Sequence, residues 1–138
     1  MKINILLNNN FFHDHCTYCF IYPIIKSINL IKECNININL VYSLTKESFD
    51  CDTLIIDSRF DCIKKNKKSF LEVLNKNLTK NLKLIFSDNA DNSGQIKKDF
   101  LEICNLYWKG QILRKKNEYM KSHYGGRLFT DYYRNKFK

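Results

Sequence analysis

The chain has 138 residues, 44% hydrophobic and 14% aromatic, which is the size and composition of one globular domain with its own core. Its formal charge is +9, but Lys outnumbers Arg 19 to 4, and Asn, Ile and Lys, whose codons are AT-rich, are all over-used. Compositional bias therefore competes with a polyanion partner as the origin of the charge. No apolar run reaches the roughly 20 residues of a membrane helix, and the N-terminus lacks the apolar stretch and cleavage site of a signal peptide. The expected compartment is the cytoplasm, with Cys16, Cys19, Cys34, Cys51, Cys62 and Cys104 as free thiols, several of them packed as small apolar residues.

In chain order, KINILL is a short apolar run ending in Asn8, Asn9 and Asn10, which reads as a buried parallel strand and its loop. The segment from Asp14 to Cys34 reads as a helix capped by Asp14. It carries Ile21, Ile24, Ile25, Ile28 and Ile31 on one face, with Pro23 in its first turns. Residues 35–43 alternate Asn with Ile and Leu, the pattern of a half-exposed edge strand. Leu54, Ile55 and Ile56 form a central strand closed by Asp57. A second helix spans 66–80, and 82–88 is another buried strand, followed by a polar loop over 88–94. A short helix fits 95–104, a charged helical stretch 112–124, and an aromatic tail ends the chain.

The predicted order is strand-helix-strand-strand-helix-strand-helix over a single domain, 1–138, in which 110–138 form a helix and aromatic tail and the expected start of an interdomain connection. Apolar strands separated by amphipathic helices imply right-handed crossovers. The fold class is α/β, a Rossmann-like parallel sheet with helices on both faces. Ligands of such sheets bind beyond the carboxyl ends of the strands. Three polar clusters fall there: 8–14, 57–61 and 88–93. Strand ends must also turn polar simply to reach solvent, so the clusters have a structural explanation too.

Several familiar chemistries fail on the residues. Cys16 and Cys19 form a C-x-x-C at a helix start, but Pro23 is the only proline, so the cis-proline loop of a thioredoxin-like site has no residue to build it. Asp57 ends a strand as a receiver-domain phosphoacceptor would, but the acidic pair expected after the first strand is Asn8-Asn9-Asn10. No phosphate-loop, dinucleotide or nucleophile-elbow motif occurs. His13, His15 and His123 are too scattered for a metal cluster, and no cofactor or metal is expected. His13 and His15, after the first strand, stand where a general base belongs, or are plain loop histidines. The basic aromatic stretch from Lys109 onward suits base stacking on single-stranded nucleic acid. Packing of Trp108, Tyr119, Tyr124, Phe129, Tyr132 and Tyr133 explains it equally well, so no nucleic-acid partner is expected. Gly125-Gly126 beside Arg127 marks a tight turn and a weak anion site.

The runs CDTLIIDSRF, KLIFSDNADNSG and LYWKGQILRKKNEYMKSHYGGRLFTDYY resemble the N-terminal half of GT-B-type glycosyltransferases of bacterial surface-polysaccharide assembly. The likeness rests on Tyr107, Lys109 and Gln111, on Tyr124 to Arg127, and on Phe129 to Tyr133, and HCTYCFIYPIIKSINLIKE looks like the family's first helix. It implies an acceptor-side domain facing a C-terminal, donor-binding domain that lies outside these residues. The donor would be a nucleotide-sugar, and the acceptor a glycan or a lipid-linked acceptor. His13 and Asp14 would be the catalytic candidates. Asp57, Asp88, Asn89, Tyr124, Gly125, Gly126 and Arg127 would bind substrate or shape the hinge. The resemblance also implies an apolar patch where the second domain docks. The other expectation is a non-catalytic Rossmann-like binding module.

Overall fold

The computed structural model describes residues 1–89, 94–110 and 112–137. Five strands, β1 (Lys2–Leu6), β2 (Asn37–Val41), β3 (Thr53–Asp57), β4 (Lys83–Asp88) and β5 (Leu106–Lys109), form one sheet. Their order is β2-β1-β3-β4-β5 and every pairing is parallel. Parallel neighbours need a crossover, and helices supply most of them. α1 (His15–Lys26) and α2 (Ile28–Glu33) link β1 to β2, α3 (Asp61–Lys65) and α4 (Lys67–Asn77) link β3 to β4, and α5 (Lys98–Ile103) links β4 to β5. The chain is an α/β domain with a Rossmann-like parallel sheet.

Each face of the sheet has its own core, and the pleat divides the apolar residues between them. Ile5, Leu7 and Ile55 pack with Phe11 and Ile21 on the α1 face. Leu6, Leu54, Ile56, Leu84 and Phe86 pack with Phe60, Phe70, Leu74 and Phe100 on the α3–α5 face. Phe86 and Phe100 stack at 4.0 Å between ring centroids. The central strand β3 is buried along its whole length. The edge strand β2 is not, which fits its Asn-alternating sequence.

The one crossover without an α-helix, from β2 to β3, passes over β1 and explains a polar residue inside an apolar strand. Asn4 is buried, and its side-chain amide donates to the carbonyls of Ser48 at 2.9 Å and Glu47 at 3.4 Å, in the 3-10 turn Lys46–Phe49. Its Oδ1 accepts from Asn39 Nδ2 of β2 at 3.0 Å. Asn4 thus satisfies backbone groups that an apolar residue would leave bare.

Several expectations are corrected here. The helix expected from Asp14 to Cys34 is two helices that meet at Ser27. Pro23 lies deep inside α1 and not in its first turns, so it removes one intrahelical hydrogen bond shortly before that break. Asn35 then turns the chain into β2 with φ 58°, a left-handed conformation that Asn tolerates. The helix expected over 66–80 is α4, with the separate α3 before it. Residues 106–109, unassigned from sequence, form β5. The charged stretch 112–124 holds only a 3-10 turn, Lys116–Met120, and the tail forms α6 (Leu128–Lys136). No cysteine is fully buried: Cys19, Cys34 and Cys62 are exposed and the other three half-buried. Tyr124, Phe129, Tyr132 and Tyr133 are more than half exposed, and the contacts they make are with their own segment: Arg134 lies 4.3 Å over the Tyr124 ring and Tyr133 stacks on Phe137, because α6 lies against the turn before it. Among the described residues no helix is long and apolar enough to cross a membrane.

Candidate functional site

Leaving β1, the chain turns towards β2; leaving β3, it turns the other way, towards β4 and β5. The loops after β1 and β3 therefore diverge and open a crevice at the carboxyl ends, the place where doubly wound sheets take ligands. A cleft of about 390 Å³ lies there. Asn8, Asn10, His13, Asp14, His15 and Cys16 line one side, and Arg59, Asp61 and Lys64 the other.

Asn8 ties the two loops together. Its amide donates to the Arg59 carbonyl at 3.0 Å and to Asp61 Oδ1 at 3.2 Å, and its Oδ1 accepts from the Asp61 backbone N–H at 2.9 Å. Asp14 caps α1: Oδ1 accepts from the N–H groups of Cys16 and Thr17 at 3.1 and 3.2 Å. Its other oxygen pairs with Arg59 Nη1 at 3.4 Å. Arg59 Nη2 lies 3.1 Å from Cys16 Sγ, while its Nε is buried without a partner. Asp14 thus has both oxygens engaged, whereas His13, in the 3-10 turn Phe11–His13, is exposed at the cleft. Cys19 Sγ lies 3.6 Å from His15 Nε2 on the outer side of α1.

Asp57 sits beneath the cleft, fully buried. Thr17 donates to its Oδ2 at 2.5 Å, and the Arg59 N–H and the Asn89 amide donate to its Oδ1 at 3.0 and 3.4 Å. Burial raises its pKa above the ordinary carboxylate value, and the Thr17 and Arg59 bonds partly offset that. Asn89 also joins the neighbouring turn, its N–H donating to Ser58 Oγ at 3.1 Å.

Asp88 belongs to a second constellation. The alternation of β5 puts Tyr107 and Lys109 on one side of the strand, and both reach Asp88 Oδ2: the Tyr107 hydroxyl at 2.6 Å and Lys109 Nζ at 3.0 Å. The same hydroxyl accepts from the Lys97 N–H at 3.0 Å. Asp88 is 1% and Lys109 7% exposed, so this is a buried ion pair. Burial, and then the bond to Asp88, push the Tyr107 pKa above its ordinary value. A second cleft of about 390 Å³ opens beside the pair, lined by Lys97, Lys98, Tyr119, Lys121, Ser122 and His123 among others.

The structure therefore puts His13 and Asp14 on the lining of the crevice, Asp57 buried beneath it with Asn89 as a partner, and Asp88 at the next cleft. Tyr124, Gly125, Gly126 and Arg127 stand apart from both linings, in the turn before α6. There Gly125 takes φ 64°, and Thr130 Oγ1 donates to the carbonyls of Tyr124 and Arg127. Gln111 and most of the polar loop 88–94, residues 90–93, lie outside the described residues. Sequence reasoning missed Thr17 and Lys97, and placed Arg59 in the polar cluster 57–61 without singling it out. Arg59 had a signal, as the only arginine before residue 114 and two residues past a strand end. Thr17 and Lys97 had none. Among the described residues no group of three or more His, Cys, Asp or Glu side chains is placed to hold a metal ion. Comparison with protein-family models, curated proteins and solved structures finds no match.

Proposed function

We propose that this chain is the acceptor-side domain of a glycosyltransferase, with the crevice between the ends of β1 and β3 as its acceptor site. One observation carries the reading. The cleft sits at the switch point of the sheet and is lined by side-chain amides, imidazoles, carboxylates and a guanidinium, groups suited to a hydroxyl-rich ligand. His13 is the general base, because Asp14 is committed to capping α1 and to Arg59. It takes the proton of the acceptor hydroxyl as that oxygen bonds to the donor's anomeric carbon and the nucleotide diphosphate departs. The donor nucleotide-sugar is held by a second domain. The aromatic stripe on α6 and the residue after it supports such a partner: Phe129, Tyr132, Tyr133 and Phe137 recur at helical spacing and are all more than half exposed.

The test is an array of immobilised glycans probed with the fluorescently labelled chain. Retention on a restricted set of glycans is expected, lost in Arg59→Gln and Asn10→Ala and kept in His13→Gln. Failure of the folded chain to bind any glycan refutes the reading. A second reading, a binding module without catalysis, is favoured by one fact: Asp14, Asp57 and Asp88 are each held by structural partners. Glycan binding with no sugar transfer, even when a donor-binding domain is supplied, selects it.

A further inference from the structure

Beyond the β3 and β4 ends, the second cleft continues into a third of about 540 Å³, and the two share Ile96, Lys97 and Lys98. Lys64, Lys67, Lys97, Lys98 and Lys121 line this combined groove. Two carboxylates face them, and both are engaged: Asp88 holds Lys109 and the Tyr107 hydroxyl, and Asp99 pairs with Lys67. Lys121 pairs with Glu118 at 2.8 Å. Among the described residues, Lys64, Lys97 and Lys98 have no carboxylate within 4.0 Å.

Lys97 is the informative one. It is half-buried, packs with Nζ 5.5 Å from the centroid of the Phe86 ring, and has the Ser58 carbonyl, at 3.1 Å, as its hydrogen-bond acceptor. Burial lowers its pKa, and the more distant charges of Asp88 and Asp57 only partly restore it. A desolvated ammonium facing a neutral carbonyl is held at a disadvantage that an anion in the groove relieves. Lys98, next in sequence, and Lys64, across the groove, carry further unpaired charge towards the same space. Three unpaired cations with a serine hydroxyl at hand, at the carboxyl ends of parallel strands, suit a multiply charged, oxygen-rich anion better than a single carboxylate.

We infer that the groove lined by Lys64, Lys97 and Lys98 binds a phosphate or diphosphate group. The chemistry is the same whether that group belongs to a free phosphoester or to a lipid diphosphate headgroup. The inference stands on the groove alone: it shares only Lys64 with the β1/β3 crevice, so it holds even if that crevice binds no glycan.

The test titrates the full chain with inorganic pyrophosphate at constant ionic strength, read by amide chemical shifts and by calorimetry. Saturable binding is expected, with shifts centred on residues 58, 64 and 94–98. Lys97→Met keeps the aliphatic stem on Phe86, and combined with Lys98→Gln it weakens binding by at least about tenfold per lost charge-assisted contact. Lys64→Gln/Lys98→Gln changes only groove-lining lysines that have no described ion pair and weakens binding in the same way, which separates lost recognition from lost folding. The control Lys76→Gln/Lys80→Gln removes equal charge outside the groove and leaves binding unchanged. Shifts that follow ionic strength alone, or an equal loss in the control pair, overturn the inference. So does binding restricted to long polyanions with a steep salt dependence, since that describes a diffuse basic surface. A vesicle arm then separates the sources. Lys97/Lys98-dependent binding to phosphatidylcholine vesicles containing phosphatidic acid identifies a headgroup, and pyrophosphate binding without vesicle binding identifies a free phosphoester.

Discussion

Lys109→Met is the most informative single change outside the crevice. It removes the cation from a carboxylate that is 1% exposed and leaves the apolar stem, which is itself nearly buried, in place. Losing one partner of a buried pair strands the other's charge, at about 3–5 kcal/mol. Screening offers little relief, because neither group reaches solvent. A domain of this size is stable by about 5–15 kcal/mol, so roughly a fifth of its stability or more is at stake. The assay is urea denaturation followed by the fluorescence of Trp108, the only tryptophan, which lies in β5 beside Lys109. The double variant Asp88→Asn/Lys109→Met removes the stranded charge and should recover about half of the loss. A Lys109→Met effect below about 1 kcal/mol, or a double variant no more stable than the single one, refutes the reasoning that the pair is a closed, desolvated unit.

Three further outcomes follow from the same geometry. Asp14→Ala removes the cap from two N–H groups and the partner of Arg59, and is expected to lower stability by about 1–2 kcal/mol; Asp14→Ser should restore most of it, and equal losses in both variants contradict the capping account. Burial holds Asp57 above its ordinary pKa of 3.8 in the folded state. Its contribution to stability is therefore fully present below 3.8 and is lost as pH rises through the folded-state value, so Asp57→Asn should flatten the pH profile of unfolding in that window. A carboxyl NMR titration of Asp57 with a midpoint at or below 3.8 excludes this. With a thiol reagent, the exposed Cys19, Cys34 and Cys62 should react first. Cys51 and Cys104, whose thiols burial holds above the ordinary range, should react last; a single fast phase for all six refutes the packing described for them.

The fold was legible in the sequence wherever periodicity was strong. Leu54–Ile56 and Leu84–Phe86 read as buried strands because parallel strands covered on both faces are continuously apolar, and the Asn–Ile alternation of 36–40 read as an edge. β5 escaped notice because Tyr107 and Trp108 do not alternate with polar residues, and because a last strand is exposed on its outer side. Residues 112–124 read as a helix from their charge pattern alone; without an apolar face to bury, that pattern yields only a 3-10 turn. For the crevice, the sequence placed Asp14, Asp57 and Asn89 at strand ends, and they do adjoin one another there, linked through Arg59 and Asp57, with Asp14 on the lining and the other two beneath it. Their roles were not legible: whether a carboxylate is free or committed depends on Thr17, Arg59 and Tyr107, which approach it from residues 19–45 positions away in the chain.

The central claim, a hydroxyl-rich ligand bound at the switch point of the sheet, is tested most directly by amide chemical-shift mapping of the full chain with a panel of mono- and oligosaccharides. The account predicts saturable shifts concentrated on residues 8–17 and 59–64, reduced in Arg59→Gln. Shifts at the opposite, amino-terminal edge around Lys2, Asn37 and Asp52, or no shifts with any sugar, contradict it.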